Sequence, residues 1–393
     1  MRRPDILQRL RSLLLLAPLL AFMICFFAAP LVTMMTSAVS DPVATNALPR
    51  TARALKRWDH GAVPTPSQQA AFVADIRALT NDEQFGDLVR RLNSAQSGFR
   101  SLLGKTRRIL GTSAGNVDLA AIDPRWSEVS YWTTISDAVA SRWTDKNLLA
   151  AVDLERNAAG DIAAMPEGAS ANRLILIRTF VTAAIVTIAC IAIGLPFAMV
   201  AASVQGWRRQ LLLGAVLLPL WTSLLVRTAA WYIVLQDNGL INATLKALGV
   251  ISDPIPLMFN RLGVVIAMTH VLLPFMVLPI FSVLIAIPRN LMPAAASLGA
   301  HPLRAFLHVL LPLAMRGVVS GSLLVFMAAL GYYITPALIG GANDQMISSV
   351  IAYYATAAAN WSMAGALGLV LLAMTILLYA VYIRLASEEE QRA

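Results

Sequence analysis

Residues 293–312 read PAAASLGAHPLRAFLHVLLP and separate two apolar runs, each long enough to cross a lipid bilayer. A proline followed by three alanines favours a short helix with a small surface. Gly299 comes next, and glycine readily adopts the backbone conformation that ends a helix and reverses the chain. Leu311 and Pro312 then come directly before the second apolar run. The stretch therefore predicts a compact helical loop that can fit into a groove on another subunit.

The composition is that of an integral membrane protein. Hydrophobic residues make up 58% of the chain and charged residues 13%, whereas about a quarter of a soluble domain is charged. Six apolar runs are long enough to span a bilayer as helices, at 13–36, 174–203, 211–235, 263–287, 313–335 and 362–383. The first run is too long for the core of a signal peptide, so we expect it to remain as a span. The sequence predicts an all-α protein with six transmembrane helices.

Arginines between the runs indicate the orientation. Arg208 and Arg209 follow the second run, Arg289 and Arg304 the fourth, and Arg384 the sixth. Basic residues are enriched on the cytoplasmic side of bacterial inner membranes, so these connections and both termini are expected there. Residues 38–172 are then external, or periplasmic. The predicted organisation is a tail and first helix (1–37), an external insert (38–172), a five-helix core (173–386) and a cytoplasmic tail (387–393).

The external insert resembles a small soluble domain. It holds fifteen Lys and Arg against fifteen Asp and Glu, so the net charge of +9 belongs to the membrane part and its flanks, which argues against nucleic-acid binding. Apolar residues at spacings of three and four predict amphipathic helices in the insert. They are Phe72, Ile76 and Leu79, then Phe85, Leu88 and Leu92, then Trp132, Ile135, Val139 and Trp143. Thr65 and Asp123 are predicted helix caps, and 111–115 and 165–172 predicted loops.

Catalytic machinery is not visible in the sequence. Gly104, Lys105 and Thr106 resemble the end of a phosphate-binding loop, but no strand-like run precedes them and Gly98 is one residue too far away. Cys25 and Cys190 both lie in apolar runs, and the four histidines have no metal-binding spacing. We therefore expect no enzyme activity, no metal and no cofactor in this chain.

The 293–312 stretch resembles the coupling loop of ABC-importer permeases. In that family the loop begins Glu-Ala-Ala, with a glycine four residues after the second alanine and Leu-Pro twelve and thirteen residues after the glycine. This sequence matches at each place except the first, where Pro293 stands for the glutamate. The resemblance implies a loop spanning about 288–312 that docks on an ATPase subunit. The docking residues would be Pro293, Ala294, Ala295, Ala296, Ser297, Leu298, Gly299 and Ala300.

Four further stretches resemble the spermidine/putrescine branch of these permeases. They are PLWTSLLVRTAAW at 219–231, NGLIN at 238–242, HVLLPFM at 270–276 and GYYITPAL at 331–338. The resemblance covers about 174–386 and the first run, but not the insert. It implies an inner-membrane assembly with a second permease subunit, expected to be a different homologous chain, two ATPase subunits that bind ATP and Mg, and an external solute-binding protein.

Polar and aromatic residues in or beside the spans are candidates for the substrate pathway. Arg227 is costly in a membrane unless it faces protein or water, and aromatic faces can bind an amine. The candidates are Trp221, Ser223, Arg227, Trp231, Tyr232, His270, Tyr332, Tyr333, Asn360 and Trp361. Structural alternatives remain open: Arg227 can reach the interface or bond a carbonyl, His270 can bond a neighbouring helix, and the aromatics can anchor the membrane interface.

Acidic residues are absent from the six runs, so this chain offers weak contacts for a polyamine and selectivity would rest mainly with the binding protein. The expected solute is a small cationic or zwitterionic molecule, either polyamine-like or another amine or amino-acid-like compound. An alternative is a self-contained secondary transporter, which would be expected to show intramembrane acids and repeated spans. A membrane-anchored sensor is the third possibility, although the sequence shows no cytoplasmic output module.

Overall fold

The computed structural model describes residues 16–112, 115, 117–157, 160–166, 168–358 and 360–392. Four parts of these predictions lie outside the described residues: the N-terminal tail before residue 16, residues 113 and 114 of the first loop, residue 167 of the second, and residue 393 of the cytoplasmic tail. The chain is mostly helical and divides into two compact units. One unit runs to residue 149 and includes 361–366, and the other comprises 150–360 and the chain from 367 onward.

Nineteen helices and one hairpin make up the described regular structure, apart from short 3₁₀ turns. The helices are α1 (Leu16–Val39), α2 (Pro42–Ala47), α3 (Pro49–Leu55), α4 (Pro66–Ala78), α5 (Asp82–Ala95), α6 (Phe99–Thr112), α7 (Leu119–Ile122), α8 (Val129–Ala140), α9 (Lys146–Ala151), α10 (Asn172–Ser203), α11 (Trp207–Leu217), α12 (Leu224–Val234), α13 (Leu240–Ala247), α14 (Arg261–Ala286), α15 (Leu291–Ser297), α16 (Pro302–Gly331), α17 (Ile334–Ile339), α18 (Ile347–Thr356) and α19 (Trp361–Arg392). Strands β1 (Leu154–Arg156) and β2 (Ile162–Ala164) pair antiparallel.

Five described helices are long and apolar enough to span a membrane: α1, α10, α14, α16 and α19. The run at 211–235, expected as one helix, is instead broken. Helix α11 and the 3₁₀ turn Leu218–Trp221 are followed by α12, and the two parts are bent by 102°. Pro219 lacks a backbone N–H and disfavours helix in the residue before it, which accounts for a break at this place. Counted as one span, the bent pair brings the candidates to six.

The insert has its own hydrophobic core within the first unit. Phe72, Trp126 and Trp132 are almost completely buried, and their ring centroids lie 5.0 to 5.5 Å apart. Aromatic pairs in tilted and edge-on arrangements contribute about 0.5–1.5 kcal/mol each beyond their area burial. The Trp126 indole N–H donates to the Thr106 hydroxyl at 3.0 Å, so the buried polar atoms are also paired.

Helix boundaries in the insert follow the predicted caps in part. The backbone N–H of Thr65 donates to Gln68 Oε1 at 2.8 Å at the start of α4. The carboxylate of Asp123 accepts from the Arg125 backbone, although it opens a 3₁₀ turn and not an α-helix. The prediction that Trp143 continues the buried face of α8 is wrong. The helix ends at Ala140, and Trp143 is 64% exposed.

Glycines bring three long helices close together in the second unit. A Cβ placed on Gly317 of α16 would lie 2.7 Å from the Ile280 Cα of α14, and one on Gly321 would lie 3.1 Å from the Met276 carbonyl oxygen. Gly194 of α10 is similarly close to the Met276 side chain. Small residues spaced four apart let membrane helices approach to backbone contact, where dispersion is strongest. These contacts hold α10, α14 and α16 as the core that supports the shorter elements.

Candidate functional site

The loop between α14 and α16 forms a short, well-capped helix. Helix α15 begins at Leu291, two residues before the predicted start, and Pro293 lies in its first turn, where no intrahelical donor is lost. At the other end Gly299 has a φ of +80°, which strongly favours glycine. The Gly299 N–H donates to the Ala296 carbonyl at 2.9 Å and the Ala300 N–H to the Ala295 carbonyl at 3.1 Å. This pair of bonds is a Schellman cap.

Small and apolar side chains of α15 face away from the rest of the chain. Pro293, Ala294, Ala296 and Ser297 are exposed, whereas Ala295 and Ala300 are half-buried. Leu298, directly before the turn, is 89% exposed. A leucine held out on a rigid turn beside alanines has the shape and chemistry of a residue that inserts into an apolar pocket. The sequence pattern predicts the loop and includes Leu298 in it. The high exposure of the Leu298 side chain follows from the cap geometry and was not predicted.

A second cluster of interest lies where the third span breaks. Ser223 precedes α12 without capping it through its side chain, and Thr228 is buried in the first turns of the helix. The Thr228 and Thr335 hydroxyls are 3.2 Å apart, which ties α12 to α17. This hydroxyl pair was not among the predicted site residues. Thr335 lies in the GYYITPAL stretch, but the sequence alone does not show that its side chain is buried beside Thr228, so it could not be predicted as a site residue.

Arg227, Trp231, His270 and Tyr332 come together beside this cluster. The Trp231 indole N–H donates to His270 Nδ1 at 3.1 Å, and Arg227 is within electrostatic range of His270 and Tyr332. Nε and Nη1 of Arg227 are buried and have no hydrogen-bond partner in the described part of the chain. These two atoms therefore do not make the carbonyl bond that was one of the structural alternatives for Arg227.

The other predicted pathway residues are spread over different surfaces. Trp221 is 86% exposed on the 3₁₀ turn, and Tyr232 lies on the exposed side of α12. Tyr333 is also exposed, with its backbone carbonyl accepting from the Ser349 hydroxyl at 3.2 Å. The Asn360 backbone N–H donates to the Tyr354 carbonyl. Trp361 opens α19 and belongs to the other unit, where it lines an apolar groove with residues of α1.

Comparisons with known proteins agree on one class. Residues 194–387 match the family described as "Binding-protein-dependent transport system inner membrane component". The chain is 36% identical to the spermidine/putrescine transport system permease protein PotB of Haemophilus influenzae, over 51% of this chain and 70% of that protein. It is also 36% identical to PotB of Escherichia coli K12, over 53% of this chain and 76% of that protein. A molybdenum transport system permease protein, ModB of Mycobacterium bovis, is 35% identical over 40% of this chain and 58% of that protein.

Solved structures similar to this chain include a bacterial alginate ABC transporter in complex with an alginate pentasaccharide-bound periplasmic protein. The match covers 55% of this chain and 78% of that one, with 15% identity and a TM-score of 0.45.

The family match and the PotB relatives define the chain as a multi-pass permease of the ABC-transporter class. It belongs to the family of inner membrane components of binding-protein-dependent transport systems, and its PotB relatives are of the polyamine-importer type. Permeases of this family are transport subunits and are not catalysts themselves.

Proposed function

We propose that this chain forms one half of the transmembrane pathway of an ATP-driven importer for polyamine-like or other small amine or amino-acid-like solutes. It works with a second permease subunit, two ATPase subunits that bind ATP and Mg, and an external binding protein. The PotB relatives support the solute class, and the family description supports the dependence on a binding protein. The arginine distribution supports a cytoplasmic α15 loop and a periplasmic insert.

One observation carries the coupling role, namely the exposed, capped α15 loop with its projecting Leu298. Closure of the ATPase pair must be transmitted mechanically, which needs a rigid element at the contact. The Schellman cap supplies that rigidity, and the alanines permit close approach. Ala295 is half-buried against its own chain, so the surface offered to an ATPase consists mainly of Ala294, Ala296, Ser297 and Leu298.

The test is the substitution Leu298→Asp in the assembled complex. A carboxylate in an apolar pocket is expected to weaken ATPase association by at least about tenfold, because a charge without a partner is costly to bury. The measurements are co-purification of the ATPase subunits with the permease and ATP hydrolysis stimulated by the loaded binding protein.

Leu248→Asp is the matched control, since Leu248 is 71% exposed on a loop assigned to the opposite side of the membrane. It should leave ATPase co-purification unchanged. Full association and stimulation in the Leu298→Asp complex would show that α15 is not the coupling element.

A further inference from the structure

Backbone pairing fastens the end of α1 to the insert. Ser40, the residue directly after the helix, pairs antiparallel with Trp143. Beside this pair, the Thr144 N–H donates to the Val39 carbonyl at 2.9 Å. Residues that lie opposite each other in an antiparallel pair have Cα atoms only about 4.5–5.5 Å apart. The position of Trp143 relative to the span is therefore fixed by the fold.

The apolar run that includes α1 gives the depth of this pair in a bilayer. The run ends at Thr36, four residues before Ser40. At about 1.5 Å per helical residue, Ser40 lies about 6 Å beyond the end of the run. The headgroup layer on each side of a bilayer is about 5–7 Å thick. Ser40 and Trp143 therefore lie at the level of the lipid headgroups when α1 spans the membrane.

The Trp143 side chain suits that layer. It is 64% exposed, whereas the apolar face of α8, which ends at Ala140, is buried in the insert. At a membrane interface an indole ring contacts apolar lipid while its N–H reaches headgroup oxygens or water. Arg142 is exposed next to it, with its backbone carbonyl accepting from the Asp41 N–H at 2.8 Å. A guanidinium is suited to binding lipid phosphate, so both neighbouring side chains fit the same surroundings.

A second tryptophan lies at the same level of the same unit. A Cβ placed on Gly365 of α19 would lie 2.3 Å from the Met34 carbonyl oxygen of α1, so the two helices are in contact there. Trp361 precedes Gly365 by four residues, or about 6 Å, and lines a groove with Ser37 near the end of the span. It is 58% exposed. Exposed tryptophans at the end of a span are typical of the aromatic belt at a membrane interface.

We propose that Trp143 anchors the insert in the phospholipid headgroup layer beside α1. The partner of this surface is the bilayer itself, because the pairing with Ser40 holds the ring at headgroup depth. The insert then moves together with α1 and does not swing freely in water. The proposal needs only that α1 spans the membrane, so it does not depend on the solute or on the ATPase contact.

The location is tested with a fluorescent reporter in place of the ring. Trp143→Cys, in an assembled complex without other cysteines, is labelled with the fluorophore NBD and placed in nanodiscs of phosphatidylcholine and phosphatidylglycerol. Quenching is measured with lipids that carry a nitroxide on the headgroup and with iodide in water. We expect the headgroup nitroxide to be the stronger quencher. A label that iodide quenches more strongly, or that neither quencher reaches because another subunit covers it, overturns the proposal.

Ser97→Cys is the matched reporter in the same insert. The Ser97 carbonyl accepts from the Tyr131 hydroxyl, near the end of α8 that is farther from Trp143. Ser97 is exposed, so a label there should be quenched mainly by iodide. The same response from both labels would show that position 143 has no special contact with lipid, and the proposal would be wrong.

The anchoring is measured by hydrogen exchange of the peptide that contains Thr144, corrected for intrinsic rates. Trp143→Ala should raise exchange of the Thr144 N–H about fivefold in bilayers, because a large ring held by lipid stabilises its loop. Trp143→Tyr should keep most of the protection, since tyrosine also favours the interface. Trp207→Ala is the control, because Trp207 is 68% exposed on the other unit. A ring surrounded by water adds little to local stability, so unchanged exchange in Trp143→Ala overturns the anchor.

Discussion

Asp123 shows how a single carboxylate can stabilise the insert. Its oxygens accept from the Arg125 guanidinium at 2.9 and 3.0 Å, and Lys105 lies 3.5 Å away. The hydrogen bond from Arg125, with further help from its backbone N–H and from the two positive charges, holds the pKa of Asp123 well below its usual range. A carboxyl whose folded pKa is lowered stabilises the fold above its unfolded pKa of about 3.9, and the contribution is lost as pH falls through its folded value.

We expect Asp123→Asn to lower the stability of the insert at pH 7 and to have a smaller effect on stability under acid conditions. Below about pH 4 the unfolded chain binds a proton at this position, so the stability of the wild-type insert approaches that of the variant as pH falls further. Hydrogen exchange of α6 and α8 in the full-length protein, corrected for intrinsic rates, should be about tenfold faster in the variant at pH 7. Asp137→Asn is the control, because Asp137 is exposed on α8. If the ratio of exchange rates between Asp123→Asn and the wild type stays constant from pH 7 to pH 3, this account is wrong.

Helix packing in the membrane core depends on backbone contact at Gly317. Replacing it with alanine places a methyl group 2.7 Å from the Ile280 Cα and 3.0 Å from the Pro279 carbonyl, so α16 must shift. Overpacking of this kind costs about 1–3 kcal/mol. Gly317→Ala should therefore lower the unfolding midpoint in detergent by several degrees, at roughly 2–4 °C per kcal/mol. Gly214→Ala should leave the midpoint unchanged, because no atom lies within 4 Å of a Cβ at that position. Equal unfolding midpoints for the two variants would show that the close contact at Gly317 does not contribute to stability.

The sequence predicted where the membrane-spanning helices lie better than where a helix is broken. Apolar run length is a property of composition, so the helices that cross a membrane could be recognised directly. The break at 218–224 depends on where Pro219 falls relative to packing neighbours, and α14 remains one helix despite Pro274 and Pro279. Gly299 was correctly expected to turn the chain. The exposure of Leu298, and the lack of a hydrogen-bond partner for Arg227 Nε and Nη1 among the described residues, depend on tertiary packing, which the spacing of residues in the sequence does not encode.

At the scale of the whole molecule, the insert is the part that family membership does not explain. The family match begins at residue 194, and the PotB relatives cover about half of the chain. The insert nevertheless has a separate aromatic core and balanced charges, as expected of a domain in water. Its proposed side of the membrane rests on the arginines of the connections alone, so the topology can be tested independently of the transport function.

The topology predicts opposite accessibility for two serines. Ser97 is exposed in the insert and should face the periplasm, whereas Ser297 is exposed on α15 and should face the cytoplasm. Each is replaced by cysteine in a background lacking Cys25 and Cys190, and cells opened only at the outer membrane are treated with an impermeant thiol reagent. Ser97→Cys should react at once, and Ser297→Cys only after the inner membrane is broken. Ser297 belongs to the proposed ATPase contact, so the permease is expressed without its ATPase subunits and burial in that contact cannot mimic protection. The reverse pattern in inserted protein would place the insert in the cytoplasm, and α15 could not then contact a cytoplasmic ATPase.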